Sequence, residues 1–224
     1  MATLQRIDSH PDLADRVYRQ LLNAICAGDF APGARITQDE LAARLNVSRQ
    51  PIHQALRILK REGFVTDAGK RGLMVAALDA RSVEQLYQVR GALDGLAARL
   101  AAQAGSKLDA SLIEEGRQAA ASRQVAAMIA ADMRFHEAIY AASGNCLIAD
   151  TAGKHWHHIG RAMGAVLQPA GMGAAVWSEH AAILEAINSG EPAQAELLAR
   201  GHCDMAGRRL GQQLHDIQRQ EKSA

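Results

Sequence analysis

The chain has 224 residues, a formal net charge of +1, 4% aromatic residues and three cysteines. That length leaves room for one large domain or two modest ones with an ample apolar core, which excludes a small disulfide-stapled scaffold. We expect a cytoplasmic protein, because the number of cysteines is odd and none of them are spaced as CxxC. We expect no membrane partner, because no apolar run is long enough to cross a bilayer.

Charge is distributed unevenly along the chain. Residues 1–77 hold 11 Lys and Arg against 8 Asp and Glu, whereas residues 78–224 hold 14 against 16. Between residues 44 and 71 the counts are 7 against 2. A local basic excess on a nearly neutral chain is typical of a nucleic-acid-binding segment. Because β-type patterns also end near residue 77, we predict two domains, 1–77 and 78–224.

The first predicted elements form a helix-turn-helix. A helix from Asp12 to Ala27 precedes two short helices between residues 37 and 63, joined by a tight turn at Asn46-Val47. Thr37 is predicted to cap the first short helix, with Glu40 completing a capping box, and Ser48 to cap the second.

The second short helix has two faces, and its outer face predicts DNA contacts. Apolar residues recur at helical spacing on one side, and polar residues cover the other. Cations suit phosphates, and long donors and acceptors suit base edges. The alternative is an ordinary amphipathic surface helix whose charges are merely solvated. The candidate DNA-binding residues here are Ser48, Arg49, Gln50, His53, Gln54 and Arg57, together with Arg35 ahead of the motif.

Two short β-type runs follow, 64–66 and 73–76, around a turn rich in glycine and cations, which predicts a hairpin wing. Lys70 and Arg71 suit a narrow minor groove, and Gly72 allows close backbone approach. The stretch GDFAPGARITQDELAARLNVSRQPIHQALRILKREGFV resembles the winged helix-turn-helix of GntR-type bacterial regulators. His53 stands where that family usually has an arginine.

From residue 82 onward the pattern is helical throughout. We predict helices over about 82–104, 110–121, 124–143, 146–167 and 176–188, and a last one that begins at Pro192 and fades after Leu214. The expected fold is therefore mostly α, with an N-terminal winged helix-turn-helix, a small β-hairpin wing and a C-terminal all-α helical bundle.

Four polar residues interrupt the apolar stripes of these helices. Asp132 and His136 lie at i, i+4 on one helix, His180 lies on the next but one, and His202 falls between Leu198 and Met205 on the last. A single buried histidine is more often bonded to a backbone carbonyl. Four unsatisfied polar groups, however, would cost about 1–3 kcal/mol each against a total stability of about 5–15 kcal/mol. A shared divalent metal would satisfy all four, and zinc, nickel or manganese suits three nitrogens and one oxygen.

The second half also resembles the FCD-type effector domain of the FadR subfamily of GntR regulators. The flanks DMRFHEAIYAASGN and SEHAAILEAINSGEPAQA carry this resemblance. It implies that Asp132, His136, His180 and His202 hold a metal ion and that the protein is a homodimer.

Arg90 is a further polar residue on a core stripe, and its role has two interpretations. It either pairs with Asp94 at i+4 or holds the carboxylate of a small organic acid effector beside the metal. His155 shares a stripe with Ile148 and Ile159, and it is assigned with Arg161 to the effector pocket.

The sequence thus predicts a ligand-responsive transcriptional regulator and repressor that binds a palindromic double-stranded operator as a homodimer. One alternative is a metal sensor in which the ion is the signal. The other is a metal-dependent enzyme with a DNA-binding domain. No general base stands out beside the four candidate ligands, which favours a regulator over an enzyme.

Overall fold

A computed structural model describes residues 12–69, 72–166 and 173–223. The chain divides into two compact units, Met1–Ala77 and Leu78–Ala224. The described residues form nine helices and three short strands, all of the strands in the first unit. The predicted fold class, a winged helix-turn-helix followed by an all-α bundle, is confirmed.

The first unit is a three-helix core with a small antiparallel sheet. The elements are α1 (Asp12–Ala27), β1 (Arg35–Ile36), α2 (Gln38–Leu45), α3 (Arg49–Arg61), β2 (Val65–Asp67) and β3 (Leu73–Val75). The strands run in the order β1-β3-β2, so the second strand of the predicted hairpin lies in the middle of the sheet.

Local sequence signals account for the helix-turn-helix. The backbone N–H of Glu40 donates to Thr37 Oγ1 at 3.3 Å, so the predicted Thr37 cap is present. Asn46 ends α2 in the left-handed region with φ 50°, a conformation that asparagine tolerates better than most residues. Ser48 occupies the N-cap position of α3, but its side chain makes no cap hydrogen bond, contrary to our expectation.

The second unit is helical throughout its described part. The helices are α4 (Ala80–Gln103), α5 (Ser111–Ser122), α6 (Val125–Ala142), α7 (Cys146–Val166), α8 (Gly173–Asn188) and α9 (Pro192–Ser223). The two longest, α4 and α9, pack against each other, and the others complete the bundle around a shared apolar core.

Glycine allows the close approach of α4 and α9. A Cβ built on Gly91 would lie 3.2 Å from Cys203 Cβ, and one built on Gly207 would lie 2.6 Å from Tyr87 Cβ. Any larger residue at position 207 would therefore force the two helices apart.

Helix α9 is longer than the sequence predicted. It continues past Leu214 because Leu214 is buried, Ile217 packs against the core and Gln218 Nε2 donates to the carbonyl of Leu78 at 2.6 Å. Within the described part of the chain, no helix has the length and apolarity needed to span a bilayer.

The three cysteines differ in exposure. Cys203 is buried, Cys26 is half-buried and Cys146 is exposed, and none of these three described residues is in a disulfide. Within the second unit, the Cys203 thiol donates to Asp94 Oδ2 at 3.1 Å.

Candidate metal centre and nucleic-acid face

Helix α3 presents a polar face to solvent because its apolar residues are used in the core. Ile52, Ala55, Leu56 and Leu59 are each at most 2% exposed. The six polar residues predicted on the other side are all exposed: Ser48, Arg49, Gln50, His53, Gln54 and Arg57. The exposed face is thus the one that sequence periodicity assigned to DNA.

Two exposed ion pairs flank this face. Arg49 Nε lies 2.6 Å from Asp39 Oδ1, and Lys60 Nζ lies 2.7 Å from Asp67 Oδ1. Exposed pairs contribute only about 0–1 kcal/mol, so the Arg49 guanidinium can leave Asp39 for a better acceptor at little cost.

The other predicted DNA-binding residues lie at the sheet. Arg35 is exposed and its Nη2 donates to the carbonyl of Ala68 at 3.4 Å, which joins β1 to the turn of the wing. Gly72 has φ +120°, a conformation that favours glycine. Lys70 and Arg71 lie outside the described residues.

The second unit brings together the four predicted metal ligands from three helices. Asp132 and His136 come from α6, His180 from α8 and His202 from α9. All four are buried, and one ligand atom from each lies within 4.8 Å of the others. Such convergence of side chains from facing helices is how bundle cores build metal sites.

The individual distances show which atoms face the centre of the cluster. His180 Nε2 lies 3.1 Å from His202 Nε2 and 3.5 Å from Asp132 Oδ1. His136 Nε2 lies 3.8 Å from Asp132 Oδ1, and it is buried with no hydrogen-bond partner among the described residues. A buried nitrogen lone pair directed at two imidazoles and a carboxylate fits a divalent cation, because the cation would satisfy every one of these atoms.

Two carboxylates support the outer nitrogens of the cluster. His202 Nδ1 donates to Glu179 Oε2 at 2.7 Å. His136 Nδ1 lies 3.0 Å from Asp94 Oδ2, in contact with this carboxylate but without the alignment of a hydrogen bond. Carboxylates placed on the outer nitrogen hold imidazoles in the tautomer that leaves Nε2 for a metal.

The protonation states also suit metal ligands. Burial, and then the charge of Arg90, lowers the pKa of His136. Burial, followed by the neighbouring His202 and His136, holds the pKa of His180 well below its ordinary value. Both imidazoles are therefore neutral near pH 7, as coordination requires.

Asp94 collects several donors beside the cluster. Tyr140 donates its hydroxyl to Asp94 Oδ1, and the Cys203 thiol donates to Oδ2 at 3.1 Å. Arg90 Nε lies 3.3 Å from the same Oδ2. The ion pair between Arg90 and Asp94, one of the two predicted interpretations of Arg90, is thus present.

Arg90 also contacts the cluster itself, which the sequence did not indicate. Its side chain is 4% exposed, and Nη2 donates to Asp132 Oδ2 at 3.4 Å. Its guanidinium carbon lies 4.4 Å from the centre of the Trp156 ring. Two carboxylates and an aromatic face compensate for burying this cation.

A cavity opens beside the cluster, with Asp132 and His202 in its wall. The cavity is open to solvent. The rest of the cavity wall is mostly apolar and carries two guanidiniums. Its residues are Tyr87, Arg90, Met128, Met163, Val176, Trp177, Ala206, Arg209 and Leu210. His155 is half-buried and Arg161 is buried on α7, and neither is among the described residues that line this cavity.

Glu179 and Arg209 are the site residues that sequence reasoning missed. Arg209 Nη2 donates to Glu179 Oε1 at 2.7 Å, while the other oxygen of Glu179 accepts from His202. Burial raises the pKa of Glu179, but the hydrogen bonds from His202 and Arg209 outweigh burial and leave this pKa lowered. The spacing of His202 and Arg209, seven residues on one helix, was the signal that could have placed both on one face.

Comparisons with known proteins agree with this fold. Residues 13–75 match the family described as bacterial regulatory proteins, gntR family, and residues 85–205 match the FCD domain. An HTH-type transcriptional regulator in the TAR-I ttuE-ttuC' intergenic region of Agrobacterium vitis is 34% identical over 55% of this chain and 77% of its own. A probable D-xylose utilization operon transcriptional repressor of Paenarthrobacter nicotinovorans is 25% identical over 87% of each chain.

Two solved structures share the architecture. E. coli McbR/YncC aligns with a TM-score of 0.72 at 21% identity, over 92% of this chain and 99% of its own. A GntR-type putative regulator from Rhodococcus sp. RHA1 aligns with a TM-score of 0.71 at 23% identity, over 88% and 96%.

A winged helix-turn-helix joined to an FCD domain defines a DNA-binding transcriptional regulator rather than an enzyme. This chain belongs to the GntR family of bacterial regulatory proteins.

Proposed function

We propose that this regulator is a repressor that binds a palindromic operator as a homodimer and releases it in response to a small organic acid. In this proposal Asp132, His136, His180 and His202 hold a divalent ion, and the effector occupies the adjoining cavity. The observation that carries it is the convergence of four buried ligand atoms within 4.8 Å of one another, two of whose residues, Asp132 and His202, also line that cavity.

The donor set supports a divalent ion, with zinc, nickel and manganese as candidates. Three neutral imidazoles and one carboxylate would leave the bound ion with a net charge of about +1. When bound, the ion would supply a positive centre able to accept an effector oxygen. The FCD match supports assigning metal and effector to this unit.

The cavity wall supports an acid as the effector. Arg90 and Arg209 place two guanidiniums in it, and Arg209 is the more exposed of the two. Met128, Met163 and Leu210 line the same cavity and contribute apolar surface beside these charges. A carboxylate on a short apolar body matches this combination of charge and shape.

The repressor and operator parts of the proposal rest on different observations. The exposed polar face of α3 supports base contacts, and two copies related by a two-fold axis would read two half-sites of a palindrome. The D-xylose operon relative is named a repressor, which supports the same direction of response here.

The test compares His180→Ala with His215→Ala, an exposed histidine on α9. Operator DNA is first selected from a random duplex library with wild-type protein. Metal content is then measured for each purified variant, and DNA binding is titrated with Zn²⁺ and with a panel of small acids, each separately. We expect His180→Ala to lose metal and the acid response while still binding DNA, and His215→Ala to behave as wild type.

The same titrations distinguish the alternatives. If metal alone changes DNA affinity and no acid does, the protein is a metal sensor. The supporting observation for that alternative is that four protein atoms converge without any effector atom among them. Wild-type protein that takes up no divalent metal would contradict both interpretations.

A further inference from the structure

Glu179 bridges a candidate metal ligand and a cation of the cavity wall. One of its oxygens accepts from His202 Nδ1 and the other from Arg209 Nη2, each at 2.7 Å. Both partners lie on α9, while Glu179 lies on α8 next to His180. The carboxylate therefore ties together two helices that each contribute one histidine to the cluster.

From this bridge we infer that Glu179 and Arg209 are positioning residues that raise metal affinity by fixing the orientation of His202, and that Arg209 transmits the presence of an anion in the cavity to that ligand. The inference rests on the proposed metal site. It assigns roles to two residues that lie outside the four ligands.

The first step concerns His202. A carboxylate on Nδ1 favours the tautomer with a proton there and leaves Nε2 for coordination, and losing such a partner typically costs about 10–100-fold in metal affinity. Glu179 is half-buried, so water can replace it only in part.

The second step concerns Arg209, whose expected effect has an unusual sign. By charge alone, a guanidinium near a cation site repels the cation, so its removal should strengthen metal binding. If Arg209 acts by holding Glu179 in place, its removal should instead weaken metal binding. The two possibilities thus predict opposite shifts in the same dissociation constant.

The third step links the cavity to the metal. Arg209 lines the cavity, so an anion bound there competes with Glu179 Oε1 for the same guanidinium. An anion that draws Arg209 away would alter the support of His202, and by linkage metal and anion would change each other's affinity by the same factor.

The experiment measures the Zn²⁺ dissociation constant of the full chain by competition with a chelator. Variants are Glu179→Ala, Glu179→Gln, Arg209→Ala and the double variant Glu179→Ala/Arg209→Ala. Glu185→Ala and Arg208→Ala are the controls, because both residues are exposed neighbours on the same two helices. Thermal melting without metal checks that each variant is folded, and Co²⁺ absorption reports the ligand field directly.

We expect Glu179→Ala to weaken Zn²⁺ binding by about 10–100-fold. Glu179→Gln should recover part of this loss, because its amide oxygen can still accept from His202. Arg209→Ala should weaken binding several-fold in the wild-type background. In the Glu179→Ala background it should have no effect or a slightly favourable one. The controls should bind as wild type.

Three results would overturn the inference. Wild-type Zn²⁺ affinity in Glu179→Ala would show that His202 needs no support. Stronger binding in Arg209→Ala alone would show that only its charge matters. Equal losses from Arg209→Ala in both backgrounds would show that it does not act through Glu179. A wild-type chain that binds no Zn²⁺ would overturn the metal site itself, which is a different failure from these three.

Discussion

Gly116 on α5 faces the ring of Trp177, and replacing it with alanine should perturb the wall of the cavity beside the candidate metal ligands. A Cβ at position 116 would lie less than 3.0 Å from three ring atoms of Trp177, and Cβ atoms in real proteins essentially never come that close to another atom. That ring is 3% exposed and contacts His180 edge-on, with 4.6 Å between ring centres. It therefore has little room to move away from an added methyl group.

The magnitude follows from comparing this change with Gly153→Ala on α7. Position 153 has nothing within 4 Å of an added Cβ, so that variant should gain up to about 1 kcal/mol of helix propensity. Gly116→Ala gains the same propensity but adds overpacking of about 1–3 kcal/mol. The two variants should accordingly differ by about 1–3 kcal/mol in the free energy of unfolding.

The assay is urea unfolding followed by tryptophan fluorescence. The chain has two tryptophans, and Trp156 and Trp177 both lie in the second unit, so the signal reports that unit. Equal stabilities of the Gly116→Ala and Gly153→Ala proteins would refute the argument that Trp177 is held tightly. A Gly116→Ala protein with normal effector binding would show that the ring does not shape the cavity.

Three further predictions address separate parts of the chain. Arg49→Ala should cost about 1–3 kcal/mol of operator discrimination with unchanged unfolding, and a quantitative footprint with unaltered affinity would contradict the recognition-helix assignment. Leu59→Ala, at a site with 0% exposure, should cost about 2–5 kcal/mol of stability in calorimetry, and a loss below 1 kcal/mol would show that the core there collapses around the gap. Asp79 accepts hydrogen bonds from the backbone N–H of Ser82 at 2.8 Å and from its Oγ at 2.7 Å, and these bonds lower the pKa of Asp79 below its ordinary 3.8. Asp79→Ala should therefore reduce the free energy of unfolding by about 0.5–2 kcal/mol. The pKa of Asp79 is lower in the folded than in the unfolded state. The loss of stability in Asp79→Ala should therefore be complete above the unfolded-state pKa and disappear as pH falls through the folded-state pKa. A stability difference that persists in acid would show that the charge of Asp79 is irrelevant.

The helix-turn-helix could be predicted because its signals are local. Thr37, Asn46 and Pro51 each specify the backbone within a few residues, and periodicity along α3 separates core from surface. The convergence of the four candidate metal ligands could also be predicted, because a histidine or aspartate on an apolar stripe must find a partner inside.

The missed features depend on contacts distant in sequence. Strand β1 has only two residues and exists because it pairs with β3, about forty residues later. Met205 was placed on the core face of α9, but it is 43% exposed, and Ala199 and Cys203 occupy that face instead. Glu179 was passed over because a glutamate beside His180 looks solvated until α9 brings His202 and Arg209 against it.

The order of the three strands has a consequence for the thermodynamics of DNA binding. Since β3 is paired on both sides, the base of the wing is held by β1 as well as by its own hairpin partner. A two-stranded flap would lose conformational entropy on docking against a groove, whereas this base is ordered before DNA arrives. Mutations that unpair Arg35 and Ile36 from β3 should therefore slow association and make it more entropically unfavourable, even though neither backbone pairing touches a base.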